Sequence, residues 1–245
     1  MRKRRVRQPN RILGAAAILL GMLLFFFAAG RFLEREDAKN ADSGALSGVS
    51  VVILDPGHGG EDGGAVGAEG TVEKDLNLSI ALKLRDLLEL QGFTVYMTRE
   101  EDVMTCDPGL EGITQRKKSD MHNRLALMDA HPEAVVLSIH QNLFEQARYS
   151  GAQMFYGKKN PWSKELAQCL QDAFASQLQP DNLRQIKQGE KDLYLLWESE
   201  NPIVLVECGF LSNPEECANL RDEEYQSKVA FTILAGLMNW KSGGQ

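Results

Sequence analysis

Four polar side chains stand at points where this sequence leaves an apolar run or enters a periodic one. His58 follows the run 51–54 inside Asp-Pro-Gly-His-Gly-Gly, His140 follows 134–139, Glu207 follows 202–206, and Glu73 opens a helical pattern. Two neutral imidazoles and a carboxylate make an established shell for catalytic zinc, with a fourth position left for water. A further carboxylate beside that water can take its proton and pass it to a leaving amine. His58, Glu73 and His140 can supply such a shell, and Glu207 such a base. The long separations between the three fit no local metal-binding pattern, so spacing alone leaves plainer roles open. A histidine after a Gly-rich turn can simply bond the turn, and one at a strand end can be a satisfied rim group. Glu73 would suit the first turn of any helix. Glu207 is harder to explain this way, because an acid following Ile-Val-Leu-Val is costly to bury. His122 and His131 lie in polar contexts and read as exposed, non-ligating side chains. Residues 57–70 are rich in glycine but lack the Lys-Ser/Thr end and the G-x-G-x-x-G order of phosphate cradles. They read as a flexible loop around a metal site.

The elements that must position these groups follow from periodicity. Residues 51–54 are a β-branched run ending in Asp-Pro-Gly, a strand followed by a turn. Residues 73–90 carry Leu76, Ile80, Leu84, Leu87 and Leu88 on one helical stripe, with Gly92 placed to stop it. Strands are expected at 94–98, 134–139, 152–156 and 202–206, and helices at 123–129, 163–178 and 225–240. Strands alternating with helices imply an α/β domain whose sheet is covered on both faces. With no internal repeat, one domain over 50–243 is expected. In open α/β sheets, ligands bind at the carboxyl ends of the strands. That is where His58, His140 and Glu207 fall.

At 245 residues, 43% hydrophobic and 25% charged, the chain can bury a sizeable core, which excludes a disordered tail. Its net charge of −7 is unevenly spread. Arg2, Lys3, Arg4, Arg5, Arg7 and Arg11 all precede residue 30, and no acid does, so the remainder is more acidic than the whole. Nucleic acid is not an expected partner of such a body. Residues 12–30 are an uncharged apolar run about long enough to cross a bilayer as a helix. Basic residues before it predict a cytoplasmic segment 1–11, a transmembrane anchor at 12–30 and an extracytoplasmic remainder. A cleaved signal peptide is the alternative, which would leave the protein secreted. Residues 31–49 read as a polar tether. Cys106, Cys169, Cys208 and Cys217 show neither a disulfide framework nor Cys-x-x-Cys pairs, and read as buried or idle thiols.

Five segments in order, ILDPGHGGEDGGAVG (53–67), TVEKDLNLSIALKLRDLLELQGFTVYMTR (71–99), NRLALMDAHPEAVVLSIHQN (123–142), GAQMFYG (151–157) and VLVECGFLSNPEE (204–216), resemble the zinc-dependent N-acetylmuramoyl-L-alanine amidases of bacterial cell walls. The resemblance implies a twisted, mostly parallel six-stranded sheet flanked by helices. It implies one Zn2+ per chain on His58, Glu73 and His140, with Glu207 as the catalytic glutamate. The implied reaction hydrolyses the amide between the lactyl group of N-acetylmuramic acid and L-alanine in peptidoglycan. Within the family the chain is similar to membrane-anchored spore-cortex amidases, through its short N-terminal anchor, the lack of wall-binding repeats, and an insertion at 107–120 after the second strand. That likeness implies a role in muramic-δ-lactam formation and germination, with a lipoprotein as activating partner. Gln141, Asp129 and Cys208 depart from the usual family residues. An exported zinc peptidase cutting the stem peptide, and a non-catalytic wall-binding protein, are the alternatives. The expected site is an open groove, since a glycan strand cannot enter a closed pocket. An acidic body gains nothing from steering toward an anionic wall, so an anchor or partner must supply concentration.

Overall fold

In the computed structural model, which describes residues 48–243, the β-branched run becomes strand β1 (Val51–Pro56). Val52 and Leu54 are buried against one layer and Ile53 against the other, the two-faced burial of a central parallel strand. Helix α1 (Glu73–Leu90) buries Leu76, Ile80, Leu84 and Leu88 and ends just before Gly92, whose positive φ closes the turn into strand β2 (Thr94–Met97). Then follow α2 (Ile113–Ala130), β3 (Val135–Asn142), β4 (Gln153–Tyr156) and α3 (Trp162–Ala173), which runs on into a π-turn at Phe174–Leu178. A short β5 (Lys187–Gln188), α4 (Tyr194–Glu198), β6 (Ile203–Phe210), α5 (Pro214–Arg221) and α6 (Glu223–Lys241) complete the order.

The six strands form one sheet in the order β2-β1-β3-β6-β4-β5. The first four are parallel; β4 runs antiparallel to β6, and β5 lies parallel to β4. One face is closed by α1, α3 and α6, where Leu84, Leu170, Ile233 and Trp240 meet Leu137, Val204 and Val206. Each such fully buried aliphatic contributes about 1.5–3 kcal/mol. The opposite face has a smaller core, in which Met128 of α2 and Leu195 and Leu196 of α4 cover Ile53, Val136 and Leu205. Among the described residues no helix is long and apolar enough to cross a membrane; the run 12–30, with segments 1–11 and most of 31–49, lies outside them.

Three expectations from sequence are corrected. Helix α2 is far longer than 123–129 and takes in the second half of the supposed insertion 107–120. Its buried stripe is Asp120, Arg124 and Met128, so two of its three inward positions are charged and hydrophobic periodicity misses its first ten residues. Strands β3 and β6 run past 139 and 206, so His140 and Glu207 lie within strands rather than after them. Elements α4, α5 and β5 were not anticipated; all three are short.

Beneath the carboxyl end of β1, Arg124 donates to Asp55 Oδ1 (2.7 Å), Asp120 Oδ2 (2.9 Å), and the carbonyls of Pro56 (2.9 Å) and His58 (2.6 Å). Arg99 donates to the carbonyls of Pro56 (3.0 Å) and Gly57 (3.1 Å) from the other side. Asp55 also accepts from Thr98 and Ser138. Burial opposes the charge of Asp55, but Arg124 and the Ser138 hydroxyl outweigh it and hold the carboxyl below the usual carboxylate range. This contribution is therefore complete above about pH 4 and is lost as pH falls through the depressed value. Arg124→Met should leave two buried carboxylates without their cation and cost about 3–5 kcal/mol. Denaturant unfolding at neutral pH measures this; a loss under about 1 kcal/mol would show that the cluster does not hold the fold.

Candidate metal centre

The braced carbonyls of Pro56, Gly57 and His58 turn the chain so that His58, at φ 62°, projects back over the sheet. A left-handed conformation is unusual for a non-glycine residue and persists only where its surroundings fix it. The loop read as flexible is tied down by backbone bonds between Gly59 and Asp62, Gly67 and Thr71, and Ala65 and Glu73. Two glycines make room for the ligands. A Cβ on Gly57 would lie 2.2 Å from the His140 ring, and one on Gly64 would lie 2.5 Å from Glu73 Oε2.

Glu73 opens α1 and is buried, its carboxylate accepting from the backbone N–H of Ala65 (2.8 Å) and Gln141 (3.1 Å) and from Asn77 Nδ2 (3.3 Å). Its two oxygens reach the two histidines: Oε2 lies 3.3 Å from His58 Nε2 and Oε1 lies 2.9 Å from His140 Nδ1. The imidazoles meet edge to face at 5.0 Å. One donor atom from each of His58, Glu73 and His140 lies within 4.8 Å of the others, a group able to hold a metal ion. The other nitrogen of His58, Nδ1, lies 3.0 Å from Asp62, which Lys117 Nζ contacts in turn at 2.9 Å. A carboxylate behind the imidazole orients the ring and keeps the Nδ1 proton, so that Nε2 is the nitrogen that can bind a metal once its own proton leaves. The sequence offered these residues and the family resemblance grouped them; in the structure their donor atoms come together.

Electrostatics fit the same purpose. Burial works to lower His58, but Asp62 and Glu73 outweigh it and raise its pKa to about 9, so the site as it stands attracts a cation. Burial pushes Glu73 up, yet His140 and His58 hold its carboxyl well below the usual range. Asp62 is likewise held low by His58 and Lys117 against its burial. Two imidazoles and a carboxylate are ligands typical of zinc.

Glu207 pairs with His140 across β3 and β6, and side chains at paired positions project from the same face of the sheet. Burial pushes its carboxyl up to about 7; His140 and His58 pull against this, and Glu73 adds to it. Glu207 Oε2 is buried with no hydrogen-bond partner among the described residues. An unmet buried acceptor is costly. Beside the triad, it is able to accept from a water or a substrate N–H. All four groups line a cavity of about 530 Å3, walled opposite by Leu193, Tyr194 and Leu195 around α4. His131 instead stacks on Tyr96, and His122 packs near Tyr194; neither joins the metal group. Cys208 is buried, and burial together with Glu207 pushes its thiol up, so it stays protonated. Gln141 packs behind the ligands and donates to Asn77 (3.2 Å).

Sequence reasoning missed Arg99, Arg124, Asp62 and Asn77. Their signal was faint: Asn77 lies one helical turn after Glu73, and Asp62 four residues after His58, both within reach of a ligand's second bond.

Comparison with known proteins agrees with this geometry. Residues 52–239 match the family model for N-acetylmuramoyl-L-alanine amidase. The chain is 37% identical over 224 residues to the germination-specific N-acetylmuramoyl-L-alanine amidase of Bacillus subtilis, covering 91% of this chain and 93% of that one. It is similar in structure to the CwlD amidase of Clostridioides difficile, solved in complex with the GerS lipoprotein. The TM-score is 0.75 and identity 41%, over 78% of this chain and 98% of that one. The catalytic domain of CwlV, an N-acetylmuramoyl-L-alanine amidase of Bacillus (Paenibacillus) polymyxa, superposes with a TM-score of 0.64 at 31% identity, over 78% and 97% of the two chains. The chain belongs to the N-acetylmuramoyl-L-alanine amidase family.

Proposed function

We propose that this amidase hydrolyses the bond between the lactyl group of N-acetylmuramic acid and L-alanine with Zn2+ held by His58, Glu73 and His140 and with Glu207 as the proton carrier. The observation that carries the assignment of Glu207 is its buried, unpartnered Oε2 on the same sheet face as His140. Zn2+ at the triad supplies Lewis acidity toward the amide carbonyl and a lowered pKa for water. The chain's own groups do the rest. Asp62 keeps Nε2 of His58 facing the triad. The backbone N–H groups of Ala65 and Gln141 fix both oxygens of Glu73. Glu207 accepts a proton from the attacking water and returns it to the L-alanine nitrogen as the C–N bond breaks. Burial, which pushes this carboxyl up, favours its proton-bound form and so suits it to take the water's proton.

The setting is the second part of the reading. Residues 1–11 lie in the cytoplasm, 12–30 anchor the chain in the membrane or serve as a cleaved signal, 31–49 tether it, and 50–243 act on peptidoglycan outside. The likeness to a germination-specific amidase, and to an amidase solved with a lipoprotein, supports a role in the spore cortex with a lipoprotein activator.

Metal analysis of the purified chain should give about one zinc per molecule, as one three-ligand catalytic site requires. His140→Ala should abolish it, and undiminished zinc in that variant would rule out this shell. Glu207→Gln should retain the metal but lose roughly 10²–10⁴-fold in rate. If metal and activity vanish together, Glu207 is a ligand. Digestion of purified muropeptides should release new L-alanine α-amines, and a chelator should stop it. Spores lacking the protein should contain no muramic-δ-lactam; normal lactam would remove the cortex role and leave the amidase chemistry standing.

A further inference from the structure

The sheet face that carries His140 and Glu207 continues toward its antiparallel edge. Gln153 on β4 is the pairing partner of Glu207, Phe155 pairs with Leu205, and Lys187 on β5 pairs with Phe155. Paired positions share a face, so these side chains extend the catalytic row sideways. Neither α2 nor α4 covers this part of the sheet; their core stops at Leu205 and Phe155. Here lies a second cavity, of about 270 Å3, which Asn142 shares with the metal cavity. Its floor is apolar, Phe155 and Phe210, and its rim carries Arg184 and Lys187. Arg184 stacks 4.4 Å above the Phe210 ring and is positioned by bonds to Ser150 O (2.7 Å) and Gln153 Oε1 (3.2 Å). Half-buried Glu216 does not cap this guanidinium with a direct bond; its oxygens accept from Gly151 N and Phe210 N, each at 2.8 Å. Arg148 adds a third cation to the cavity that adjoins at Tyr149 and Arg184, where Asp181 is the one acid. A cationic groove with an aromatic floor is an unexpected feature of a chain with net charge −7.

Chemistry settles which half of the substrate goes there. Glu207 protonates the leaving nitrogen, so the leaving group lies on the Glu207 side, and beyond Glu207 the sheet leads to Gln153 and the cations. The leaving group is a peptide joined through its amino end, so its carboxylates lie on the side away from the cut bond. We infer that the groove bounded by Gln153, Phe210, Arg184 and Lys187 binds the carboxylate-bearing stem peptide, with Arg184 and Lys187 as its anion contacts. This rests on the amidase reading above.

Binding of the free stem peptide, the product of the reaction, tests the site without turnover. The full-length chain is titrated by calorimetry with that peptide and with the same peptide carrying amidated carboxylates. The wild type should bind the free-acid form roughly three- to tenfold more tightly, a preference that added salt reduces. Lys187→Glu, an exposed change on the edge strand, and Arg184→Gln should each erase most of that preference. In turnover of the intact muramoyl-peptide, Lys187→Glu should raise KM with kcat nearly unchanged. Equal binding of the two peptides by the wild type, no detectable binding at millimolar peptide, or a preference that survives Lys187→Glu would overturn the assignment. Failure of the underlying reading is seen separately, as a wild-type digest that releases no L-alanine amine.

Discussion

Two buried guanidiniums hold the end of one strand, and the site depends on that arrangement. Arg124 and Arg99 between them take the carbonyls of Pro56, Gly57 and His58, three consecutive groups that leave the sheet just as the chain reverses. A turn this tight leaves carbonyls that cannot pair with a neighbouring strand, and buried backbone acceptors must find donors. Using cations as those donors requires anions to balance them. Asp55 and Asp120 supply this on Arg124, and hydroxyls of Thr98 and Ser138 complete the shell of Asp55. Such a cluster is costly to desolvate and offers little net stability compared with an apolar core of equal volume. Its use is directional. Few alternative conformations of residues 56–58 would satisfy both forks at once, and the left-handed His58 is the one that does.

Register provides the second constraint. β1 and β3 are the strands at which the chain order reverses, since β1 leads through α1 to β2 on one side while β3 lies on the other. The crevice at such a point is open by topology. Pairing of His140 with Glu207 sets the proposed metal ligand and the proposed proton carrier side by side, and pairing of Glu207 with Gln153 continues the row. A one-residue slip of β6 against β3 would send Glu207 into the layer of α1, α3 and α6, where an acid has no partner. The apolar runs of both strands would tolerate that slip, since both their faces are buried in apolar cores; the register is held by polar positions such as Ser138, which donates to Asp55 from one face only.

The sequence made the repeated, apolar part of this structure legible and left the polar part obscure. Strands β1, β3 and β6 and helices α1 and α6 could be read because each buries hydrophobic residues in register with its period. Helix α2 could be read only over 123–129, for the same reason reversed: its inward stripe begins Asp120, Arg124, and charges at helical spacing look like a solvated face. The triad was visible only as two histidines after apolar runs and an acid that opens a helix, and it took a family resemblance to join them. The residues that orient the triad, Asp62, Asn77 and Arg99, were hidden because a hydrogen bond to a backbone carbonyl or a ligand's second atom leaves no periodic trace. Short elements such as α4 and β5 carry too few residues to show a period, yet α4 walls the metal cavity and β5 carries Lys187.

The two faces of the sheet also divide the work. Three long helices seal one face completely, and this is where most of the apolar burial lies. The other face is covered only as far as α2 and α4 reach, and its smaller core ends beside Leu205. Had that cover been complete, Glu207 would lie under helix with an unmet oxygen and no route for water or substrate. Because it is partial, the row from His140 through Glu207 to Gln153 is roofed near the histidines and open toward β4 and β5. Low dielectric around the reacting atoms and access for a polymer are opposed requirements, and a half-covered sheet face meets both. The amidase activity of the family needs that compromise, since the bond to be cut lies at a branch point of a strand too large to be enclosed.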